Sequence, residues 1–167
     1  ELAFSPVEAY VWEGVENSSD EAYGKVIIKR RYEEGRNMEL LPGETLVVDF
    51  GQNAAAVPAF EFKSEEGTVL TCLPAELLND GNGARSRGMD GPEGSCHRLN
   101  LRTPNDGMIL EYTFAGDEDY VGYSPRCTFF GYRFVSITVT APVTIKTISS
   151  IPVTSVKAEH ETGRIAT

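Results

Sequence analysis

The 167-residue sequence predicts an all-β protein, a two-sheet antiparallel β-sandwich of the jelly-roll kind. Three observations predict it. Short runs of β-branched and aromatic residues recur at intervals of roughly 8–12 residues, separated by Gly, Pro, Asn and Asp. Several runs alternate apolar and polar residues with period two, as a sheet with one wet face requires. No window keeps a helical period, so the crossover helices that a parallel sheet needs are missing.

The elements follow in chain order. Tyr23 to Arg31 carries Val26-Ile27-Ile28 between charged residues and reads as a strand. Pro42-Gly43 is a turn into a strand over Glu44 to Phe50. Gly51 then supplies a turn flanked by Asp49 and Asn53, and a separate strand runs from Val57 to Lys63. In that strand Phe60 and Phe62 share one face, against Glu61 and Lys63 on the other. Glu66-Gly67 turns into Thr68 to Leu73, and Leu73 to Leu78 has room for one helical turn. Arg98 to Arg102 is a short strand before the turn residues Thr103 to Gly107. In Met108 to Ala115, the residues Met108, Leu110, Tyr112 and Phe114 face one way, and Ile109, Glu111 and Thr113 the other. Arg126 to Thr140 is a long aromatic strand with a bulge expected at Gly131. Val143 to Ser149 and Ile151 to Lys157 close the series, broken up by Pro142 and Pro152. The stretch Leu78 to Arg98 is polar and glycine-rich, and is expected to be solvated or to fold against another domain.

Charge narrows the functions. Fifteen Lys and Arg against 25 Asp and Glu give a net charge of −10, which excludes the clustered cations that nucleic acid or an anionic membrane surface demands. No apolar run reaches the roughly 20 residues of a membrane span. Cys72, Cys96 and Cys127 lack zinc-ligand spacing. Cys72 and Cys127 lie in apolar runs and read as small buried hydrophobes; Cys96 lies in a polar stretch and reads as exposed. His97 adjoins Cys96 in sequence, a poor geometry for a nucleophile and its base.

The order of motifs adds a resemblance. Val48-Asp49-Phe50-Gly51-Gln52-Asn53 comes first, then Gly67-Thr68, Ala75-Glu76-Leu77-Leu78, and Pro125 to Val135 with its Gly131-Tyr132-Arg133. This series resembles the non-catalytic concanavalin-like β-sandwich domain of bacterial α-L-rhamnosidases, glycoside hydrolase family 78, over about Pro42 to Thr140. Ala56 stands where that family often has Gly, and Cys127 where an aromatic is usual. The resemblance implies a parent enzyme that hydrolyses terminal α-L-rhamnose with inversion, using two carboxyl groups of a separate (α/α)₆ barrel. No acidic motif of that barrel occurs here, so catalytic residues: none, and the chain alone is expected to be inactive. The partners implied are the remaining domains of the parent glycosidase and rhamnose-containing carbohydrate. A parent that degrades glycans implies a periplasmic or secreted setting. The expected organisation is an N-terminal arm and edge strands over 1–41, the sandwich over 42–157, and from 158 to 167 the start of a linker to a catalytic domain. A start at Glu1 rather than Met reads as an excised piece of a longer protein.

Four groups are candidates for binding. Asp49 and Asn53 either meet sugar hydroxyls or satisfy the backbone of their own turn, the reading that turn chemistry favours. Arg133 and Arg126 either reach a sugar or form an ion pair with Glu76 or Asp49 across the sheet, as a charge in a sandwich requires. Tyr120 and Tyr123 beside Asp117, Glu118 and Asp119, with Tyr10 and Trp12 as further aromatics, offer either a stacking platform or packing at the rim. Asp80, Asn82, Asp90 and Glu93 supply oxygens that suit calcium, opposed by Arg85, Arg87 and Arg98. No cofactor is expected, calcium being the single candidate. A carbohydrate-binding module recognising rhamnose-containing glycans is the alternative function, and a free-standing adhesion domain a third.

Overall fold

The structure, a computed structural model, describes residues 3–16, 23–33, 35–81, 90–98, 108–117 and 119–155. Eleven strands and no helix occur among the described residues. They are β1 (Glu8–Glu16), β2 (Lys25–Arg31), β3 (Met38–Leu40), β4 (Thr45–Lys63), β5 (Val69–Ala75), β6 (Leu77–Leu78), β7 (Cys96–His97), β8 (Leu110–Thr113), β9 (Val121–Tyr123), β10 (Phe130–Val139) and β11 (Val143–Pro152). The expected all-β sandwich is what forms. The 19-residue β4 belongs to both of its layers. Its first half pairs with β1 and β10, in the layer β2-β1-β4-β10-β5-β8. Its second half pairs with β11 and β9, in the layer β3-β11-β4-β9.

The expected turn at Gly51 is corrected: β4 runs through it. Between the pairs Asp49↔Phe134 and Ala54↔Tyr132, β4 carries three more residues than β10. The surplus makes a wide bulge in which the strand changes layers. Gly51 has φ +79° there, and a Cβ would come 3.0 Å from Val7 Cγ1, so glycine is the residue that fits. The local Gly-Gln-Asn signal is real, but the ladders on either side keep the chain extended. The helical turn expected at Leu73 to Leu78 is also corrected. Leu73 pairs with Ser136 and Ala75 with Phe134, so the β10 ladder extends through Ala75, and the chain bends at Glu76 into β6. Val143 to Pro152 is likewise one strand rather than two. The expected strand at Arg98 to Arg102 and turn at Thr103 to Gly107 lie, apart from Arg98, outside the described residues.

The core lies between the layers. Leu46, Val48 and Phe50 of β4, Val135 and Ile137 of β10, and Leu70 and Cys72 of β5 face it from one side. Met38 and Leu40 of β3, Val143, Ile145 and Ile148 of β11, and Phe60 and Phe62 of β4 face it from the other. Each of the larger side chains contributes about 1.5–3 kcal/mol by leaving water. The buried Tyr132 hydroxyl and Ser150 Oγ, 2.7 Å apart, tie β10 to β11 across the core. Tyr112, Phe114, Phe62 and Tyr123 meet at ring-centroid distances of 4.6–6.5 Å. The period-two reading of Met108 to Ala115 holds: Leu110 and Phe114 are buried, Ile109, Glu111 and Thr113 exposed.

The outer face of the first layer carries a smaller cluster of Tyr10, Val26 and Val47 with Trp12, Leu78 and Cys96. Segment 90–98 folds onto it. Val26 N donates to Glu93 O at 3.0 Å, Glu93 N to Gly24 O at 2.8 Å, and the Tyr10 hydroxyl to Gly94 O at 2.5 Å. The described part of the polar Leu78–Arg98 stretch therefore packs on its own sandwich, through backbone bonds that its composition does not reveal.

Candidate functional site

The motif residues converge where β4 changes layers. Asp49 leaves the outer side of β4, because Val48 and Phe50 on either side of it point into the core. Arg133 is the one β10 residue opposite the β4 bulge. Its Nε and a terminal nitrogen donate to the two Asp49 carboxylate oxygens, both at 2.8 Å. Asp49 Oδ1 also accepts from Gly51 N at 2.6 Å, and the Arg133 guanidinium lies 4.9 Å from the Phe134 ring centroid. This bidentate bond raises the Arg133 pKa further. Asn53 Nδ2 donates to Glu76 Oε1 at 3.3 Å. Of the ion pairs expected for Arg133, the one with Asp49 forms; Arg126 is exposed on the chain leading into β10.

The tyrosine candidates divide. Tyr123, on β9, is built into the aromatic cluster, 4.6 Å from the Tyr112 centroid and 6.5 Å from that of Phe62. Tyr120 lies on the surface, with Lys63 Nζ 5.0 Å and Lys146 Nζ 5.5 Å from its ring centroid. Its hydroxyl accepts from Asn37 Nδ2 at 2.7 Å. Tyr10 and Trp12 belong to the outer cluster on β1 rather than to an open platform.

The acidic candidates of the polar stretch turn to protein donors. Asp90 Oδ1 meets Asn79 Nδ2 at 2.9 Å and His97 Nδ1 at 3.1 Å, and its Oδ2 accepts from Arg98 N at 2.7 Å. Glu93 pairs with Lys25 at 3.0 Å. Asp80 is exposed and Asn82 lies outside the described residues. No cluster of three or more His, Cys, Asp or Glu suited to a metal occurs among the described residues.

The cysteine expectations need correction. Cys127 is exposed, not buried, and is the non-glycine residue with φ +63°. Cys96 packs its thiol into the outer cluster, and burial pushes its pKa up to about 12. Burial also raises Cys72 well above the ordinary thiol range. His97 and Cys96 are successive residues of β7 and face opposite ways, His97 to Asp90 and Cys96 to the cluster.

One feature carried no sequence signal. A groove of about 490 Å³ runs between the N-terminal segment and β11, lined by Ser5, Glu8, Tyr32, Lys146, Thr147 and Ser149 among others. It exists because, among the described residues, no strand pairs with the edge of β11 that faces away from β4 over 146–149, a property of pairing over 100 residues and more.

Residues 39–157 match the family model described as the bacterial alpha-L-rhamnosidase concanavalin-like domain. The chain is similar to an alpha-L-rhamnosidase of Streptomyces avermitilis, 30% identical over 115 residues, which cover 69% of the chain and 10% of that protein. It is similar to an alpha-L-rhamnosidase of Alteromonas sp., 28% identical over 94 residues, covering 56% and 8%. In fold it resembles a rhamnosidase from Klebsiella oxytoca solved with rhamnose bound, with a TM-score of 0.58 and 12% identity, over 92% of the chain and 29% of that structure. The chain thus spans about a tenth or less of the curated relatives it matches.

Proposed function

The chain belongs to the family of bacterial α-L-rhamnosidase concanavalin-like domains, and from that premise we propose that it is a non-catalytic accessory sandwich of a larger α-L-rhamnosidase, packed against the part that cleaves terminal α-L-rhamnose. The observation that carries this reading is proportion: the matched relatives are roughly ten times longer than the region they share with it. The chemistry agrees. A glycosidase acid needs a carboxyl with a raised pKa facing a second carboxylate across a cleft. The Glu44 carboxyl is held below its ordinary value by its hydrogen bond with Arg30, as in a structural ion pair. A contact surface is at hand beside the layer crossing. Val7, Phe129 and Val153 are exposed by 67%, 59% and 47%. Val7 and Val153 are held to β4 at Asp49 O and Ala55 O, and Phe129 precedes the Phe130↔Ala56 pair. Apolar side chains exposed together commonly mark an interface.

Purified chain is expected to leave p-nitrophenyl α-L-rhamnopyranoside intact, whereas the longer gene product that carries it hydrolyses the substrate. Phe129→Asp should lower the melting temperature of the longer protein and leave that of the isolated chain unchanged. Turnover by the chain alone would overturn the proposal.

A further inference from the structure

The groove beside β11 holds a peptide group that the fold leaves open. Phe4 N donates to Ser150 O at 2.7 Å and Ser150 N to Phe4 O at 2.9 Å, so both backbone groups of Ser150 point away from β4. Ser150 is also the partner of Pro58 on β4, which has no N–H to give. In an antiparallel ladder the direction of these groups alternates with each residue. The N–H and C=O of Ile148 therefore face the same outer edge as those of Ser150. One turn of the pattern earlier, the carbonyl of Lys146 faces that edge too, where the Tyr32 hydroxyl reaches it at 3.5 Å. On this edge β3 pairs with Val143 to Ile145 only, and the Phe4 bridge begins at Ser150. No described strand pairs with residues 146–149 between them. The Ile148 side chain lies in the core, while its N–H and C=O face the groove with no partner on a described strand along that edge.

The slot selects by shape and charge. It is about 13 Å long, four residues at the strand rise of roughly 3.3 Å, and protein closes both ends. An extended peptide would need to run past β3 or the Phe4 segment, so a compact ligand fits better. The ionised groups along it already have counter-ions. Glu8 pairs with Arg31, Lys146 with Glu61 at 2.5 Å, and Glu33 at the Tyr32 end with Arg36 at 3.1 Å. What remains is the hydroxyls of Ser5, Thr147 and Ser149, around the Ile148 peptide group and an apolar floor that includes Ala9. Such a lining suits a neutral molecule rich in hydroxyls that can donate and accept at short intervals, with an apolar face for the floor. We infer that this slot binds one or two saccharide rings, with Ile148 N–H and C=O as its central contacts. The proposal does not rest on the accessory role, since a sandwich can pack against another domain whether or not this slot binds a ligand.

The test is titration of the ¹⁵N-labelled full chain with L-rhamnose and, separately, with an α-linked rhamnose disaccharide, to about 10 mM, tenfold above a Kd of about 1 mM. Saturable shifts centred on the amides of Thr147, Ile148 and Ser149 are expected, with the Arg133 and Gly131 amides unmoved. Thr147→Trp and, as a second variant, Ser5→Trp should weaken binding at least tenfold at unchanged melting temperature. The overturning results are an absence of shifts with both sugars, shifts centred elsewhere, or shifts that survive both slot-filling variants in folded protein. Binding of acetyl-Ala-Ala-Ala-amide in place of the sugars would assign the slot to strand addition and also overturn the proposal.

Discussion

The layer crossing and the β11 slot are both places where the sandwich departs from regular pairing, and they resolve the departure in opposite ways. At the crossing, Asp49, Gly51 and Arg133 meet one another's polar groups, so the extra length of β4 is absorbed inside the protein. At the slot, β3 and the single bridge at Phe4 both stop short, and the Ile148 peptide group between them is left facing a groove. A conspicuous motif can thus mark where a fold secures itself, while a binding surface sits where sequence is unremarkable.

That contrast has measurable consequences. The largest is expected at another self-satisfied position, the turn before β4. Glu44, 5% exposed, accepts from Arg30 through two bonds of 2.6 Å and from Leu41 N at 2.9 Å. Glu44→Ala removes the acceptor of the Leu41 amide and both carboxylate bonds of Arg30, which keeps its bond to Glu39 O, and should cost about 2 kcal/mol in urea unfolding. The hydrogen bond from Arg30, opposed by burial, holds the Glu44 carboxyl below its ordinary value. A group depressed in the folded state stabilises fully above its unfolded pKa. This stability should be lost as the pH falls below about 4.5 toward the folded pKa. The variant should lose less stability across that window than the parent chain; an identical acid profile would refute the pairing.

A smaller effect, of opposite sign, is expected at Cys127. Its φ of +63° costs a side chain roughly 1 kcal/mol, and Cys127→Gly should return about that much in thermal unfolding. The same residue gives a chemical check. At pH 8 one thiol per chain should react quickly with a disulfide reagent, and peptide mapping should place it at Cys127. Cys72 and Cys96 should react only on unfolding, because burial keeps both protonated. The smallest effect belongs to the slot. Thr147 is exposed, and Thr147→Trp should change stability by less than about 0.5 kcal/mol while weakening saccharide binding at least tenfold.

Much of this molecule is legible in its sequence, for local reasons. The alternation at Met108 to Ala115 and at Phe60 to Lys63 reads directly, since a sheet with one wet face imposes it on each strand. The Arg133–Asp49 pair is foreseeable because a guanidinium within a sandwich needs a carboxylate and few are in reach. What escapes is set by distant segments. Gly51 looks like the end of a strand and is a bulge, because β1, β10 and β11 hold the chain extended on both sides. Cys96 sits among polar residues and is half-buried, because Tyr10 and Val26 come from 70 and more residues away to meet it. Cys127 sits among apolar residues and is exposed, because β10 begins only at Phe130. The slot is defined by strands that do not pair, which no local pattern records.

The central claim is that the family's motif residues secure the layer crossing rather than hold a ligand. A double-mutant cycle of Asp49→Ala and Arg133→Ala, followed by urea unfolding of the isolated chain, tests it most directly. Partners in a bidentate pair with one side chain partly exposed should show a coupling energy of about 0.5–1 kcal/mol. A coupling indistinguishable from zero, with each single variant near the stability of the parent chain, would contradict the account.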